Sequence, residues 1–587
     1  MLLHDSHKPF YREPAGPLPE GSEVTIRLYC DEATSVVLRT WMDEELCYTM
    51  VPTEKNVWEL GLLLPKHPGL FWYSFIVYRE DGRTIRYGNA SDKLGGEGAV
   101  YEQGEPESFQ ITVYEESYRT PDFMHGANIY QIFPDRFYRA ATTALDKRTD
   151  RQMHKAWNED VMLYCDPRTG DYDPLDFFGG TLTGIQEKLP YLKELGVDVI
   201  YLNPIFQARS NHRYDTGDYL KIDPLLGDEA DFKALCAAAE KLGMRVMLDG
   251  VFSHTGDDSV YFNRLGNYNS VGAYQGANSP YYTWYTFRHF PDDYRCWWNF
   301  PTLPECRKDN PEYQHFMFRD KEGVVPHWIH KGACGWRLDV ADELSMDFLR
   351  KLRVAAKKAK PDAVVLGEVW EDASNKIAYG ETRCYCTGDT LDSVMNYPLR
   401  EAILDFMTGK SNAYALARLI KHQEEVYPAQ FRYSLMNLIG SHDRARALNV
   451  LCGRDGVGLS RDEQSLIRLT PDEYRLAAQR LRKCVDILCA LPGCPTIYYG
   501  DEAGLTGCPD PFCRRPFPWG HEDKSLQSYV AAKLNHHRGS EVLRYGDCAV
   551  EASDDDTLVI TRTLGTFDAL GRPAISRGKE VIKVTRC

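Results

Sequence analysis

The chain has 587 residues, 43% of them hydrophobic, with a formal net charge of −16 and a pI near 5.5. Such a length exceeds one ordinary core and predicts two or three domains, one of them large. The acidic balance argues against nucleic-acid backbones and anionic membranes as partners, since both attract basic surfaces, and it suits a neutral or cationic ligand.

The N-terminal run MLLHDSHKPFYREP mixes acidic and basic residues and lacks the apolar core of a signal peptide. No run of about 18 apolar residues predicts a membrane span. Seventeen cysteines, odd in number and irregularly spaced, suit a reducing compartment, with most of them acting as small buried apolar residues. A cytoplasmic location is expected.

Residues 1 to 118 contain the runs SEVTIRLYC, SVVLRTW, VWELGLLL, GLFWYSFIVY and ESFQITVYE, divided by Gly, Pro, Asp and Lys. Val24, Ile26 and Leu28 share one face, as do Phe109, Ile111 and Val113, which is the period of half-buried strands. This predicts an N-terminal β-sandwich. Trp41, Trp58, Trp72 and Tyr73 could stack on sugars, but core packing is the expected use.

From about residue 119 to 540, short β-branched runs alternate with helical patterns. The predicted strands are ANIYQIFPDRF, VDVIYLNPIF, MRVMLDGVF, GWRLDV, AVVLGEVW, DSVMNYP, YSLMNLIGSH and PTIYYGDE. Among the helices, GIQEKLPYLKELG places Ile185, Leu189, Leu192 and Leu195 in one stripe before a stop glycine. TPDEYRLAAQRL opens on a Thr cap and a proline. Eight strand-helix units predict a closed (β/α)8 barrel of the TIM type, because closure removes both sheet edges. An open doubly wound sheet would carry a Gly-rich phosphate loop after its first strand, and IYQIFPDRF has none. Residues 254 to 310, long for a loop and rich in Tyr and Trp, are read as a lid subdomain after strand three. Residues 541 to 587, with two strand patterns (TLVITRTL and EVIKVTR), are read as a short C-terminal β region.

A barrel builds its active site at the carboxyl ends of its strands. Asp249, Asp339 and Glu368 end three predicted strands, and Asp443 follows a fourth. Each alone reads as well as a cap or a solvated loop charge. Together, with His254, His442 and Arg337, they predict one site. Arg337 and Asp339 lie two apart on a strand and share a face, so Arg337 is expected to hold Asp339 ionised. Apolar Leu366, Val369 and Trp370 are expected to raise the Glu368 pKa. An ionised carboxylate beside a protonated one suits cleavage of a glycosidic bond, with Asp339 as nucleophile, Glu368 as acid and a separation of ~5 Å for a retaining reaction. Asp443 is placed to hydrogen-bond the sugar as charge develops.

These residues occur in DGVFSH (249–254), GWRLDVADE (335–343), GEVW (367–370) and GSHDRAR (440–446), accompanied by NHRYDTGDY, FFGGTLTGI, DSVMNYP and IYYGDEAGL. In this order the chain resembles glycoside hydrolase family 13, the α-amylase family, and within it the neopullulanase, cyclomaltodextrinase and maltogenic amylase group. The resemblance implies Asp339 as nucleophile, Glu368 as acid/base and Asp443 as transition-state stabiliser. It implies that His254 and His442 bind hydroxyls of the sugar being cleaved, with Asp249 and Arg337 in support. Tyr214, beside His212, would stack on that sugar, Trp370 would meet the leaving group, and Asp510 and Arg514 would line the next subsite inward. The N-terminal domain resembles a starch-binding type that in relatives can cover the partner subunit's active site, which implies a homodimer through this domain.

Three departures from the group's pattern stand out. DRFYRAATTALDKRTD replaces its Asn-Gly-Asp calcium run and Thr181 replaces an Asp, so no structural calcium or other cofactor is expected. Its VANE reads VADE here, so Asp342 adds a negative charge near the leaving group. The C-terminal region is shorter than usual. The resulting expectation is a retaining hydrolase of α-1,4 bonds in cyclodextrins, maltooligosaccharides, pullulan or starch fragments, with some transglycosylation. The alternatives are an α-1,6-acting enzyme or glucanotransferase of the same family and a non-catalytic amylase-like binding subunit. The last would lack the three carboxylates.

Overall fold

The computed structural model describes residues 1–140, 150–165, 170 and 172–587. Most of the run that departs from the calcium pattern, 141–149, therefore lies outside the described residues.

The N-terminal strands form two antiparallel-dominated sheets facing each other. Glu23–Cys30 and Val57–Leu63 belong to one, and Ala33–Trp41, Gly69–Arg79 and Phe109–Tyr114 to the other. Val24, Ile26 and Leu28 meet Phe75, Phe109 and Ile111 between the sheets in one apolar core, as their period of two requires. Trp58 and Tyr73 join that core. Trp41 and Trp72 pair across strands on the outer face, their rings 6.3 Å apart.

A third sheet has eight parallel strands: β1 Ile129–Ile132, β2 Val199–Leu202, β3 Arg245–Gly250, β4 Gly335–Leu338, β5 Val364–Gly367, β6 Ser393–Val394, β7 Met436–Leu438 and β8 Cys494–Tyr498. Seven lie within the predicted runs, and β8 begins one residue ahead of its run, at Cys494. Their order, β6-β5-β4-β3-β2-β1-β8-β7, needs only contact between β6 and β7 to close. A parallel bridge between Met395 and Met436, with Asn396 N–H donating to the Met436 carbonyl at 2.9 Å, supplies it. The protein is thus a (β/α)8 barrel.

Alternation then sorts the side chains. Ile129, Val199, Tyr201, Met247, Val364, Leu366 and Leu438 fill the barrel interior, while Tyr130, Ile200, Leu248, Trp336 and Leu338 pack outward into the shell of helices. Gln131, Asp249 and Arg337 have the inward parity, which puts polar groups at the carboxyl end of an otherwise apolar interior.

Helix Pro471–Ala490 begins as its sequence predicts, with Thr470 and Glu473 in a capping box and proline in the first turn. The stripe Ile185–Leu195 is buried as expected, yet it is split into Leu182–Glu187 and Leu189–Leu195 at Lys188. Pro190 lacks an N–H, and its ring would clash with the carbonyl four residues back, which breaks a continuous helix. Gly196, at φ +99°, ends the second piece in the left-handed conformation glycine tolerates. After β3 come short turns and the hairpin Phe287–His289/Asp293–Tyr294. The C-terminal sheet has three strands, not two. The unforeseen one, Asp547–Asp554 (DCAVEASD), has too many acidic residues to show a strand pattern. No helix among the described residues is long and apolar enough to cross a membrane.

The N-terminal sheets dock on helix Ala413–Val426 through buried charge. The Arg12 guanidinium lies 3.0 Å from Glu425, His7 approaches the same carboxylate at 2.8 Å, and Thr112 donates to the Val426 carbonyl at 2.7 Å. Burial, the largest single effect, pushes the Glu425 carboxyl up, but Arg12, His7 and Ser6 together outweigh it and hold the carboxyl down to about 2. Removing one partner of a buried pair strands the other. Glu425→Gln is therefore expected to lower stability by about 3–5 kcal/mol, read as a lower urea midpoint. An unchanged midpoint would show that the docking charge is dispensable.

Candidate active site

The site is organised by Arg337, whose side chain is fully buried inside the barrel mouth. Its Nη1 donates to Asp249 at 2.7 Å and to Asp339 at 3.1 Å, and its Nη2 lies 2.7 Å from Glu368 Oε2. Strand register explains the gathering. Asp249 is the direct neighbour of Arg337 across β3 and β4. Leu338 opposes Gly367 across β4 and β5, so Asp339 and Glu368 follow on adjacent strands roughly 4.8 Å apart in backbone. Glu368 N–H donates to the Leu338 carbonyl at 2.9 Å, which extends the ladder as far as the two carboxylates.

Val340, immediately after Asp339, sits at φ +34° and ψ +72°. A β-branched residue adopts this region only under strain. The turn aims its N–H at Glu368 Oε2, 2.8 Å away, so backbone strain is spent on fixing the second carboxylate.

A second chain of contacts crosses the mouth. Gln131 Nε2 donates to His442 Nδ1 at 2.9 Å, which leaves the His442 Nε2–H facing the Tyr214 hydroxyl at 2.5 Å. That hydroxyl donates to Asp249 at 2.8 Å, as the Tyr201 hydroxyl does at 2.6 Å. The rings of Tyr214 and His442 are nearly coplanar in orientation, 2° apart, with centroids separated by 5.3 Å. Burial, reinforced by Arg514 and Arg337, lowers the His442 pKa well below its ordinary value, so the ring is neutral at physiological pH. Asp443 lies 3.2 Å from His442 Nε2 and 3.5 Å from Arg514, which is also paired with Asp510 at 2.7 Å.

His254 and His212 are held by the same loop. His254 Nδ1 meets Ser253 Oγ at 2.9 Å and its Nε2 meets the Tyr214 carbonyl at 3.1 Å, so the ring buttresses Tyr214. His212 Nδ1 accepts the Tyr214 N–H at 3.1 Å. Burial lowers both histidines to about 3. Trp370 stacks on Tyr397 at 4.0 Å and lies under the Arg444 guanidinium at 4.5 Å.

The electrostatics differ from the sequence expectation. Arg337 does pull the Asp339 pKa down, but burial outweighs it, and Glu368, Asp249 and Asp443 push the same way, so the carboxyl is raised well above its ordinary value. Asp443 is raised to about 7, first by burial and then by Glu368. One guanidinium cannot compensate so many carboxylates in a dry site. The cluster therefore retains protons near neutral pH that belong to it jointly.

The rim is tied across three segments. Glu343 accepts from Trp298 Nε1 of the β3–β4 insertion at 3.2 Å and from the Tyr379 hydroxyl of the hairpin after β5. Asp342, expected as an added charge, is compensated: Lys376 of that hairpin and the Tyr385 hydroxyl both bind its carboxylate. Trp298 is 69% exposed at this rim.

Sequence reasoning missed Gln131, Tyr201, Tyr397, the turn at Val340 and Asn203, whose Nδ2 donates to the Tyr214 hydroxyl at 3.0 Å. Gln131 and Asn203 had a visible signal, a polar residue with inward parity within or at the end of an apolar strand, the same anomaly that exposes Arg337. Tyr201 and Tyr397 had none, since an inward tyrosine reads as core.

A parallel eight-stranded barrel with carboxylates and an arginine converging at the carboxyl ends of its strands defines a barrel enzyme of the acid/base type. Residues 131–544 match the alpha-amylase catalytic domain, and the chain belongs to the alpha-amylase family. It is 37% identical to an amylopullulanase of Thermoanaerobacterium saccharolyticum over 97% of this chain and 47% of that protein, so it spans about half the length of that relative. It is 34% identical to a cyclomaltodextrinase of Geobacillus thermopakistaniensis, covering 85% of this chain and 79% of the relative. Among solved structures, the cyclic alpha-maltosyl-(1→6)-maltose hydrolase of Arthrobacter globiformis matches with a TM-score of 0.63 at 32% identity, covering 76% of this chain and 90% of that one.

A carboxyl whose folded pKa exceeds its unfolded value binds its proton more tightly when folded. Its contribution to stability is complete below the unfolded pKa and is lost as pH rises through the folded one. Asp443, raised to about 7, therefore destabilises the unliganded protein progressively between about pH 4 and 7. Asp443→Asn is expected to raise the melting temperature at pH 8 by about 1–3 °C while leaving it nearly unchanged at pH 4. Calorimetry at the two pH values reads the difference, and an equal shift at both would contradict the assignment.

Proposed function

We propose that the protein is a retaining α-glucan hydrolase that cleaves α-1,4-glucosidic bonds of cyclodextrins, maltooligosaccharides, pullulan or starch fragments. The observation that carries this reading is the placement of Asp339 and Glu368 on two nitrogens of one buried guanidinium, at equivalent ends of adjacent strands.

In the first displacement, an Asp339 oxygen attacks the anomeric carbon while Glu368 gives its proton to the departing glycosidic oxygen. The attack needs the tautomer of the cluster with Asp339 ionised and the proton on Glu368, whereas the raised Asp339 pKa favours the proton on Asp339 in the unliganded protein, so the proton must pass to Glu368 before attack. Arg337 touches both carboxylates, so moving the proton between them leaves the charge around the guanidinium unchanged. In the second displacement Glu368 takes a proton from water, which releases the sugar from Asp339 with the original α configuration. A sugar hydroxyl in place of water gives transglycosylation. Asp443, held by His442 and Arg514, would hydrogen-bond the sugar as positive charge develops at the ring. Asp249 and Tyr214 orient Arg337 and close the floor of the site.

A second reading is supported by the relatives. An amylopullulanase matches nearly the whole chain, and the matched Arthrobacter enzyme is named for a (1→6)-linked substrate. These favour α-1,6 bonds as an additional or alternative target. Product profiles on β-cyclodextrin, pullulan, maltotriose and soluble starch separate the two, because panose from pullulan reports α-1,4 cleavage and maltotriose reports α-1,6 cleavage.

We also propose that the fold needs no structural calcium near β1. The buried Arg136 guanidinium lies 2.7 Å from Asp135 and 3.4 Å from Asp176, and it donates to the Arg514 carbonyl at 2.8 Å. A guanidinium thus supplies positive charge between loops that a cation could otherwise bridge. Thr181 caps helix Leu182–Glu187 by accepting the Gly184 N–H.

Asp339→Asn and Glu368→Gln are each expected to lower kcat by on the order of 10³-fold without changing the melting temperature by more than a few degrees. Normal turnover in either variant would refute the roles. Proton NMR of the first product should show the α-anomer, and a β-anomer would mean inversion. Exhaustive chelation should leave activity and melting temperature unchanged, whereas a fall in melting temperature would reveal a bound cation.

A further inference from the structure

We propose that Cys384 and Cys386 form a reversible dithiol–disulfide site on the rim of the catalytic face, oxidised by a small disulfide such as glutathione disulfide. The modification does not depend on the glycosidase reading. Only its effect on turnover rests on that reading.

The two cysteines continue strand Glu381–Arg383, the second arm of the hairpin whose first arm begins at Lys376. The chain bends at Tyr385, and the two sulfurs lie 3.9 Å apart. Both are free thiols, Cys384 half-buried and Cys386 buried. Tyr385, between them, binds the Asp342 carboxylate through its hydroxyl, while its N–H donates to the Ala373 carbonyl at 3.0 Å. Asp342 lies three residues beyond Asp339, in the turn that opens at strained Val340 and is tied to the hairpin by Lys376. Three consecutive residues thus carry a pair of neighbouring thiols and a hold on the turn after Asp339.

The accessibility of the two sulfurs sets the order of events. The Cys384 thiolate attacks one sulfur of the oxidant, forming a mixed disulfide and expelling one glutathione thiol. Cys386 then attacks Cys384 Sγ and expels the second glutathione, which takes up the proton that Cys386 releases. Two protein thiols are oxidised and one disulfide is reduced to two thiols. Burial raises the Cys386 pKa, which makes the second step the slower one and lets the mixed disulfide accumulate first. The closed bond needs a sulfur separation of about 2.05 Å, so the residues must draw together and Tyr385, held between them, must turn. Its hydroxyl then loosens from Asp342. A partly exposed disulfide of this kind is readily reduced again.

The test uses the full chain, incubated with excess glutathione disulfide, digested and read by mass spectrometry on the peptide spanning 384–386. Wild type should lose two hydrogens on that peptide and regain them with dithiothreitol. Cys386→Ser should stop at a glutathione adduct on Cys384, and Cys384→Ser should give neither product. Unmodified wild-type peptide, a lasting adduct alone, or pairing with a different cysteine would overturn the site. The oxidised protein should turn over starch several-fold more slowly and recover on reduction, with both serine variants losing this reversible, disulfide-linked response. A disulfide that forms without altering the rate would overturn the link to Asp342.

Discussion

A guanidinium sealed inside a barrel cannot stay uncompensated, and this one constraint arranges the whole mouth. Arg337 has no exposure to water, so its charge must be met by protein oxygens. Asp249 meets it from the neighbouring strand on one side, Glu368 from the strand on the other, and Asp339 from two residues further along its own strand. The same contacts crowd three acids around one cation. The crowding keeps protons in the cluster near neutrality, and the double displacement proposed above would draw on such a shared supply.

The surroundings serve to keep that geometry rigid. Tyr201 and Tyr214 bind the far oxygen of Asp249, His442 backs Tyr214, and Gln131 sets the His442 tautomer from the floor of the barrel. Each donor in this series points at an acceptor, which lowers the cost of a polar network inside an apolar barrel. At the rim the logic changes from rigidity to assembly. Asp342 and Glu343 collect the β3–β4 insertion and the hairpin after β5 around one turn, so the wall on that side is made of segments far apart in the chain.

Much of this was legible in residues alone. The eight strands announced themselves as short β-branched runs between helical stripes, and the acids at their ends were exposed by the rule that a barrel works at its carboxyl face. Asp249, Arg337, Asp339, Glu368, His442 and Asp443 were all found in this way and do converge. Other features left no trace. The break at Lys188 came from a proline within a stripe that otherwise reads as one helix. Strand Asp547–Asp554 is too acidic to announce itself. Tyr201 and Tyr397 look like core until the barrel turns them toward the acids.

The amino-acid order by itself determined the parity of each strand, and with it which side chains enter the barrel, because alternation along a strand is a local property of the backbone. It also determined the chemical inventory of the mouth. Only the tertiary structure decided how that inventory is charged. Whether Arg337 or burial governs Asp339, and whether Asp342 stands as a free charge or is neutralised by Lys376, depends on distances between segments remote in sequence and on how much water reaches them, and neither is a property of any short stretch of chain.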